Sequence, residues 1–187
     1  MLVPVRGVLG ARLLTLVVCF VVGVLPAFAQ RIETATYSVM PPTGWTKQTK
    51  DIVAGGVAFL GPQEKDFTVN INVMSEPAPR ETLAQYVQAI HRQVTPGGEM
   101  TILKDTPKVL LAGTQAHRML TELHLKKRTD VPILRVHQIY AMHKDRAFIL
   151  TLTYPKSVTQ DSEKKYIAAF NKLIASFQWK KEATGKK

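Results

Sequence analysis

Beyond its first twenty-nine residues the sequence has no cysteine, because the single one in the chain is Cys19. Disulfides, thiol catalysis and cysteine-held metals are thereby excluded from the rest of the chain, whose stability must come from packing. The motifs G-x-S-x-G, H-E-x-x-H and G-x-x-x-x-G-K-[ST] are missing as well, so no recognised nucleophile, zinc-protease or phosphate-loop chemistry is expected. Acidic residues are scarce: 14 Asp and Glu stand against 25 Lys and Arg, a formal charge of +11. Aromatic residues form 7% of the chain and do not interleave with the basic ones, which argues against a stacking surface for nucleic acid.

Two of those cations belong to a leader. Arg6 and Arg12 precede an apolar run from Leu13 to Leu25, followed by Ala27-Phe28-Ala29. This is the pattern of a secretory signal peptide with cleavage between Ala29 and Gln30. The run is short for a membrane span of roughly 20 residues, and no transmembrane helix is expected after cleavage. Val18 stands before Cys19 where lipidation would favour a small residue. Without the leader the chain keeps 23 basic and 14 acidic side chains, a charge of +9. For an exported chain that balance points to an anionic envelope partner, a protein assembly or a lipid or polymer surface, rather than to nucleic acid.

Residues 30–36 read as a short flexible N-terminus, 37–179 as one domain and 180–187 as a basic flexible tail. Strands are expected at Tyr37 to Met40, Val57 to Leu60, Phe67 to Val73, Met100 to Leu103, Val109 to Leu111 and Gln115 to Leu125, with Pro107 dividing the fourth from the fifth. Trp45, beside the turn at Pro41-Pro42 and Gly44, reads as a cap on the core. Leu83, Tyr86, Val87, Ile90 and Val94 fall at helical spacing, and Thr82 with Gln85 makes a capping box, which predicts a helix over 82–94.

The last third carries the strongest pattern. Leu134, Val136, Tyr140 and Met142 alternate, as do Phe148, Leu150, Leu152 and Tyr154, predicting a hairpin around Lys144-Asp145 with one face buried. Tyr166, Ile167, Phe170, Leu173, Ile174 and Phe177 then share one stripe, predicting a helix over 159–178 that lies on the sheet. The fold class that follows is α+β, a central antiparallel sheet flanked by helices in an α/β/α sandwich.

Five histidines invite a metal reading, but their spacing along the chain does not gather them. His117 and His124 differ by an odd number and point to opposite faces of a strand. His137 and His143 share a face yet lie roughly 20 Å apart at ~3.3 Å per residue. The one constellation left is cross-strand, Glu122 or His124 facing His137, and it needs a third ligand. No cofactor is expected. Lys126, Lys127 and Arg128, in the loop before the final hairpin, form a candidate docking surface for an anionic partner.

Tyr37-Ser-Val-Met-Pro-Pro-Thr-Gly-Trp45, Val57-Ala-Phe-Leu-Gly-Pro62, the strand from Phe67 to Val73, and Tyr154-Pro-Lys-Ser157 leading to Ile174-Ala-Ser-Phe177 together resemble the PsbP-like family. That family includes the extrinsic PsbP subunit of photosystem II and, more distantly, bacterial exported proteins of the DcrB type. The resemblance implies the same sheet-and-helix fold and offers no catalytic set to map onto this chain. The expectation is an exported, non-enzymatic accessory or binding protein, periplasmic or extracellular, or in the thylakoid lumen of a photosynthetic organism. The alternatives are a small-molecule or metal-ion carrier using a pocket between sheet and helix, and a hydrolase with an unrecognised site.

Overall fold

A sheet whose central strands are apolar on both faces needs cover on both sides, and this chain supplies one helix for each. The computed structural model of the protein describes residues 30–48, 56–94, 99–125 and 131–181. In chain order these form β1 (Ile32–Glu33), β2 (Tyr37–Val39), β3 (Thr46–Lys47), β4 (Val57–Glu64), β5 (Phe67–Pro77), α1 (Leu83–Gln93), β6 (Met100–Leu111), β7 (Thr114–Leu123), β8 (Leu134–His143), β9 (Arg146–Pro155), α2 (Gln160–Ser176) and β10 (Gln178–Trp179). Seven strands make one antiparallel sheet in the order β3-β4-β5-β9-β8-β7-β6, and β1, β2 and β10 make a smaller one. The architecture is the α+β sandwich that the sequence predicts.

The register explains the layers. Ile139 pairs with Leu150, His137 with Leu152 and Ala141 with Phe148, and this face meets α2 through Tyr166, Phe170 and Leu173. Tyr140 pairs with Ile149 on the opposite face, where Tyr86 and Val87 of α1 close over Met119 and Ala147. The expectation of one buried face in this hairpin is therefore corrected. The stripe of Tyr140 and the stripe of Phe148 and Leu150 lie on opposite sides of the sheet, and β9 is buried from Ala147 to Leu152 without a break. Alternation fails here because β8 and β9 are inner strands with a helix on each side.

Both helices begin as the sequence indicates. The Thr82 hydroxyl accepts from the Gln85 N–H while the Gln85 side chain accepts from the Thr82 N–H, and Thr159 accepts from the Ser162 N–H at the start of α2. Trp45 does pack at the rim of the core, against Gly61, where a Cβ would sit 2.8 Å from the indole ring. The segment expected to be flexible at the N-terminus contains β1, which pairs with β2, and β2 in turn pairs with β10 through Tyr37 and Trp179. Lys180, the first residue of the expected tail, is tied down by its N–H bond to the Thr36 carbonyl at 3.0 Å and by an ion pair with Glu33 at 2.9 Å.

One further correction matters for the site. Met100 to Leu111 is one strand, not two divided by Pro107, because β6 is an edge strand and Pro107 sits in a bulge where no ladder donor is needed.

Phe170 is fully buried at the centre of the α2 face. Phe170→Ala should destabilise the protein by about 3–5 kcal/mol in urea unfolding. A loss within about 1 kcal/mol of the parent would show that α2 does not dock as described.

Candidate functional site

The β6–β7 hairpin turns on Ala112 and Gly113, both with positive φ (47° and 80°), as a two-residue hairpin turn of this twist requires. From there Leu111 pairs with Thr114 and Val109 with Ala116, then Thr106 with Arg118 and Asp105 with Met119. Pro107 and Lys108 thus stand together opposite His117. An unbroken ladder would put Asp105 on the same face as Val109, which packs toward α2. The extra residue reverses the parity, so Asp105 joins His117 and Met119 on the α1 face.

Helix α1 brings the third group. Its stripe seats Tyr86 and Val87 on the sheet, the Tyr86 hydroxyl donates to Glu76 Oε1 at 2.6 Å, and one turn beyond Val87 the last turn presents His91 to the hairpin. His91 Nε2 lies 3.2 Å from Asp105 Oδ2, and His117 Nε2 contacts Asp105 Oδ1. The two imidazoles meet edge to face with centroids 6.2 Å apart. Beside them a groove of about 690 Å³ runs between α1 and the hairpin, with Leu83, Val87 and Met142 among its apolar walls.

The predicted cross-strand constellation does not assemble. Leu120, not Glu122 or His124, stands opposite His137. Glu122 is instead engaged by Arg135 at 3.4 Å and Lys156 at 3.1 Å, and His124 is exposed beyond the end of β7. His137 itself is buried on the α2 face, stacked on Tyr154, with its Nε2 2.9 Å from the Tyr154 hydroxyl. That hydroxyl donates to Glu163 Oε1 at 2.7 Å, so His137 Nε2–H is the donor to Tyr154. Burial pushes the His137 imidazole down to about 4, with Arg118 and Arg135 adding to the effect and Glu163 opposing it. This is a neutral histidine at one end of a hydrogen-bonded chain that runs through Tyr154 to Glu163.

At the other end of β8, His143 stacks on Trp179 with ring centroids 4.2 Å apart. Next to this pair a recess of about 280 Å³ is lined by His143, Lys144, Arg146, Lys180 and Lys181, with no acid among the described residues that line it. Arg146 is fixed there by hydrogen bonds of 3.0–3.2 Å to Ser75. Lys126, Lys127 and Arg128 lie outside the described residues, as do residues 1–29, Ala29 of the expected cleavage site among them.

No family model matches the chain, and no relative is found among the curated proteins. Solved structures do match it. Cyanobacterial PsbP from Synechocystis is 15% identical with a TM-score of 0.55, over 84% of this chain and 96% of that one. The fold is PsbP-like. The same fold recurs in LpqN of Mycobacterium tuberculosis, described as involved in cell envelope biogenesis (13% identity, TM-score 0.55, 81% of this chain and 90% of that one). It recurs also in the Ran-binding protein Mog1p of Saccharomyces cerevisiae (9% identity, TM-score 0.53, 80% and 94%). The chain spans 47% of a longer Bacteroides thetaiotaomicron protein, at a TM-score of 0.48. At these identities the likeness is one of fold.

Within this PsbP-like sheet, neither spacing along one strand nor the cross-strand pairing considered for His137 brings His91, Asp105 and His117 together, because they lie on three different elements. The signal available was Pro107: a proline inside an otherwise strand-like stretch marks an edge with a bulge, and a bulge reverses which residues share a face.

His137 gives a pH prediction. A histidine in the unfolded chain titrates near 6.5, above the folded value of about 4, so the unfolded state binds the proton first as pH falls. Stability present above pH ~6.5 is therefore lost on the way down to pH ~4, by on the order of 3 kcal/mol. Between pH 7 and pH 5, the parent should lose on the order of 2 kcal/mol more than His137→Gln in urea unfolding. Equal losses in both proteins would show that His137 is not held neutral by the fold.

Proposed function

We propose that this is an exported, non-enzymatic accessory protein of the cell envelope that docks on an anionic partner. The observation that carries the reading is the recess at the β8–β9 turn, where Lys144, Arg146, Lys180 and Lys181 converge on a chain already strongly basic. Lys180 is paired with Glu33 at 2.9 Å, and the positive lining that Arg146 and Lys181 add beside it suits a phosphate- or carboxylate-bearing surface. Supporting it, solved proteins of the same fold include PsbP, a Ran-binding protein and a protein involved in cell envelope biogenesis. The leader ending at Ala29 supports export, and among the described residues no helix is long and apolar enough to cross a membrane. The run Lys126, Lys127 and Arg128, which in the sequence falls between β7 and β8, is proposed as a second contact.

A second reading, a carrier of a small molecule, is favoured by the groove beside α1, whose volume suits a ligand of that kind. The two readings separate cleanly: a carrier gains thermal stability by mass action from its ligand, whereas docking follows charge.

Docking through exposed cations is screened with a Debye length of about 8 Å at physiological salt. The purified protein should therefore sediment with isolated envelope, or with phosphatidylglycerol vesicles, at low salt and be released as salt rises. The pair Lys144→Asn with Lys181→Ser, and separately the triple replacement of Lys126, Lys127 and Arg128 by Ser, should each weaken low-salt association several-fold without changing the melting temperature. Binding to envelope but not to vesicles would make the partner a protein or polymer. Identical binding by parent and both variants at every salt concentration would overturn the docking reading.

A further inference from the structure

The end of α1 and the bulged hairpin beneath it form a site that the docking reading does not use. We infer that His91, Asp105 and His117 bind one divalent transition-metal ion, with zinc(II) the best fit. One nitrogen of each imidazole and one carboxylate oxygen all lie within 4.8 Å of one another. A tetrahedral ion with bonds of roughly 2.0–2.1 Å sets its ligand atoms about 3.3 Å apart, and His91 Nε2 stands 3.2 Å from Asp105 Oδ2.

The state of His91 is the second, independent observation. Its side chain is 37% exposed, yet Nε2 itself is shut off from solvent and has no hydrogen-bond partner among the described residues. The 3.2 Å approach to Asp105 is thus an ion-pair distance without hydrogen-bond alignment. A buried polar atom in that condition calls for a specific account, and a cation held between it and Asp105 supplies one. His117 reaches the same carboxylate from the sheet, with a side chain only 12% exposed.

The ligand types select the ion. Two imidazoles and one carboxylate suit zinc and its borderline neighbours, whereas calcium and magnesium require mostly oxygen ligands and are poorly served. The groove beside the cluster leaves a fourth position for water or for a ligand atom. Because α1, β6 and β7 each provide one ligand, no stretch of sequence carries the set, and the Pro107-Lys108 bulge is what makes the face common to Asp105 and His117. The rival for the same geometry is a metal-free clasp in which Asp105 accepts hydrogen bonds from the two histidines.

Calorimetric titration of the purified, tag-free protein with zinc, calcium and magnesium chlorides decides between them. The expected result is one zinc bound per chain, no calcium or magnesium heat, and an Nε2 shift at His91 and His117 in histidine-resolved NMR of the parent. Asp105→Asn keeps one acceptor and gains one donor, which a neutral histidine in its other tautomer can accept, so a clasp is preserved, but zinc should weaken at least tenfold, since even changes outside the ligand set do that much. His91→Gln and His117→Gln should do the same, and His124→Gln should not. If a ligand variant fails to fold, the parent's NMR shifts carry the test alone. No zinc heat in the parent, shifts confined to His124 or His143, or full affinity in Asp105→Asn would overturn the site.

Discussion

Everything in this molecule depends on the double-sided burial of β9 and β8. Strand β9 pairs with β5 on one side and β8 on the other, and neither of its faces reaches water over Ala147 to Leu152. Such a strand is stable only between two covering layers. The chain meets that demand unequally. Among the described residues, nineteen buried ones form one cluster on the α2 side, reinforced by the small β1-β2-β10 sheet and by Tyr37 stacked on Phe177 at 5.1 Å. On the α1 side the cluster has seven of the described residues. Helix α2 is therefore held by area, and α1 is held by much less of it.

That asymmetry explains where polar groups are found. A helix about 10 Å across cannot cover one face of a seven-stranded sheet, since strands spaced ~4.8 Å apart span nearly 30 Å. Alongside α1 the uncovered strip becomes the groove. The helix, short of apolar contact, carries polar groups toward the sheet, with the Tyr86 hydroxyl bonded to Glu76 and His91 of the last turn standing 3.2 Å from Asp105. Fold and candidate site share one cause.

How much of this the sequence discloses follows from the same constraint. Tyr166, Phe170 and Leu173 face a single apolar layer, so their period survives and places α2 within a residue or two of its observed bounds. The Thr82–Gln85 capping box is legible because its partners are three residues apart. Strands β8 and β9 are legible as strands but not by face, because two covering layers leave no polar side to mark the phase. The site is the least legible element. His91 meets its partners only through the docking of a helix, and Asp105 changes face through one inserted residue, which parity counting along β6 cannot detect without the bulge.

The position of the His–Asp–His group at the lightly held end of α1 has an energetic consequence. An ion that bridges α1 to the hairpin would stabilise the state in which helix and hairpin are together over any state in which the helix end lifts away, by mass action alone. Because α1 has little apolar area to hold it, the same binding free energy is a larger fraction of its local stability than it would be at α2. The recess at the β8–β9 turn is built on Phe148 and Arg146, on the α2 face of the sheet. Occupancy of the metal group would therefore tighten the groove face while leaving the cationic face as it is, which lets one small domain carry a ligand-dependent surface and a constant one.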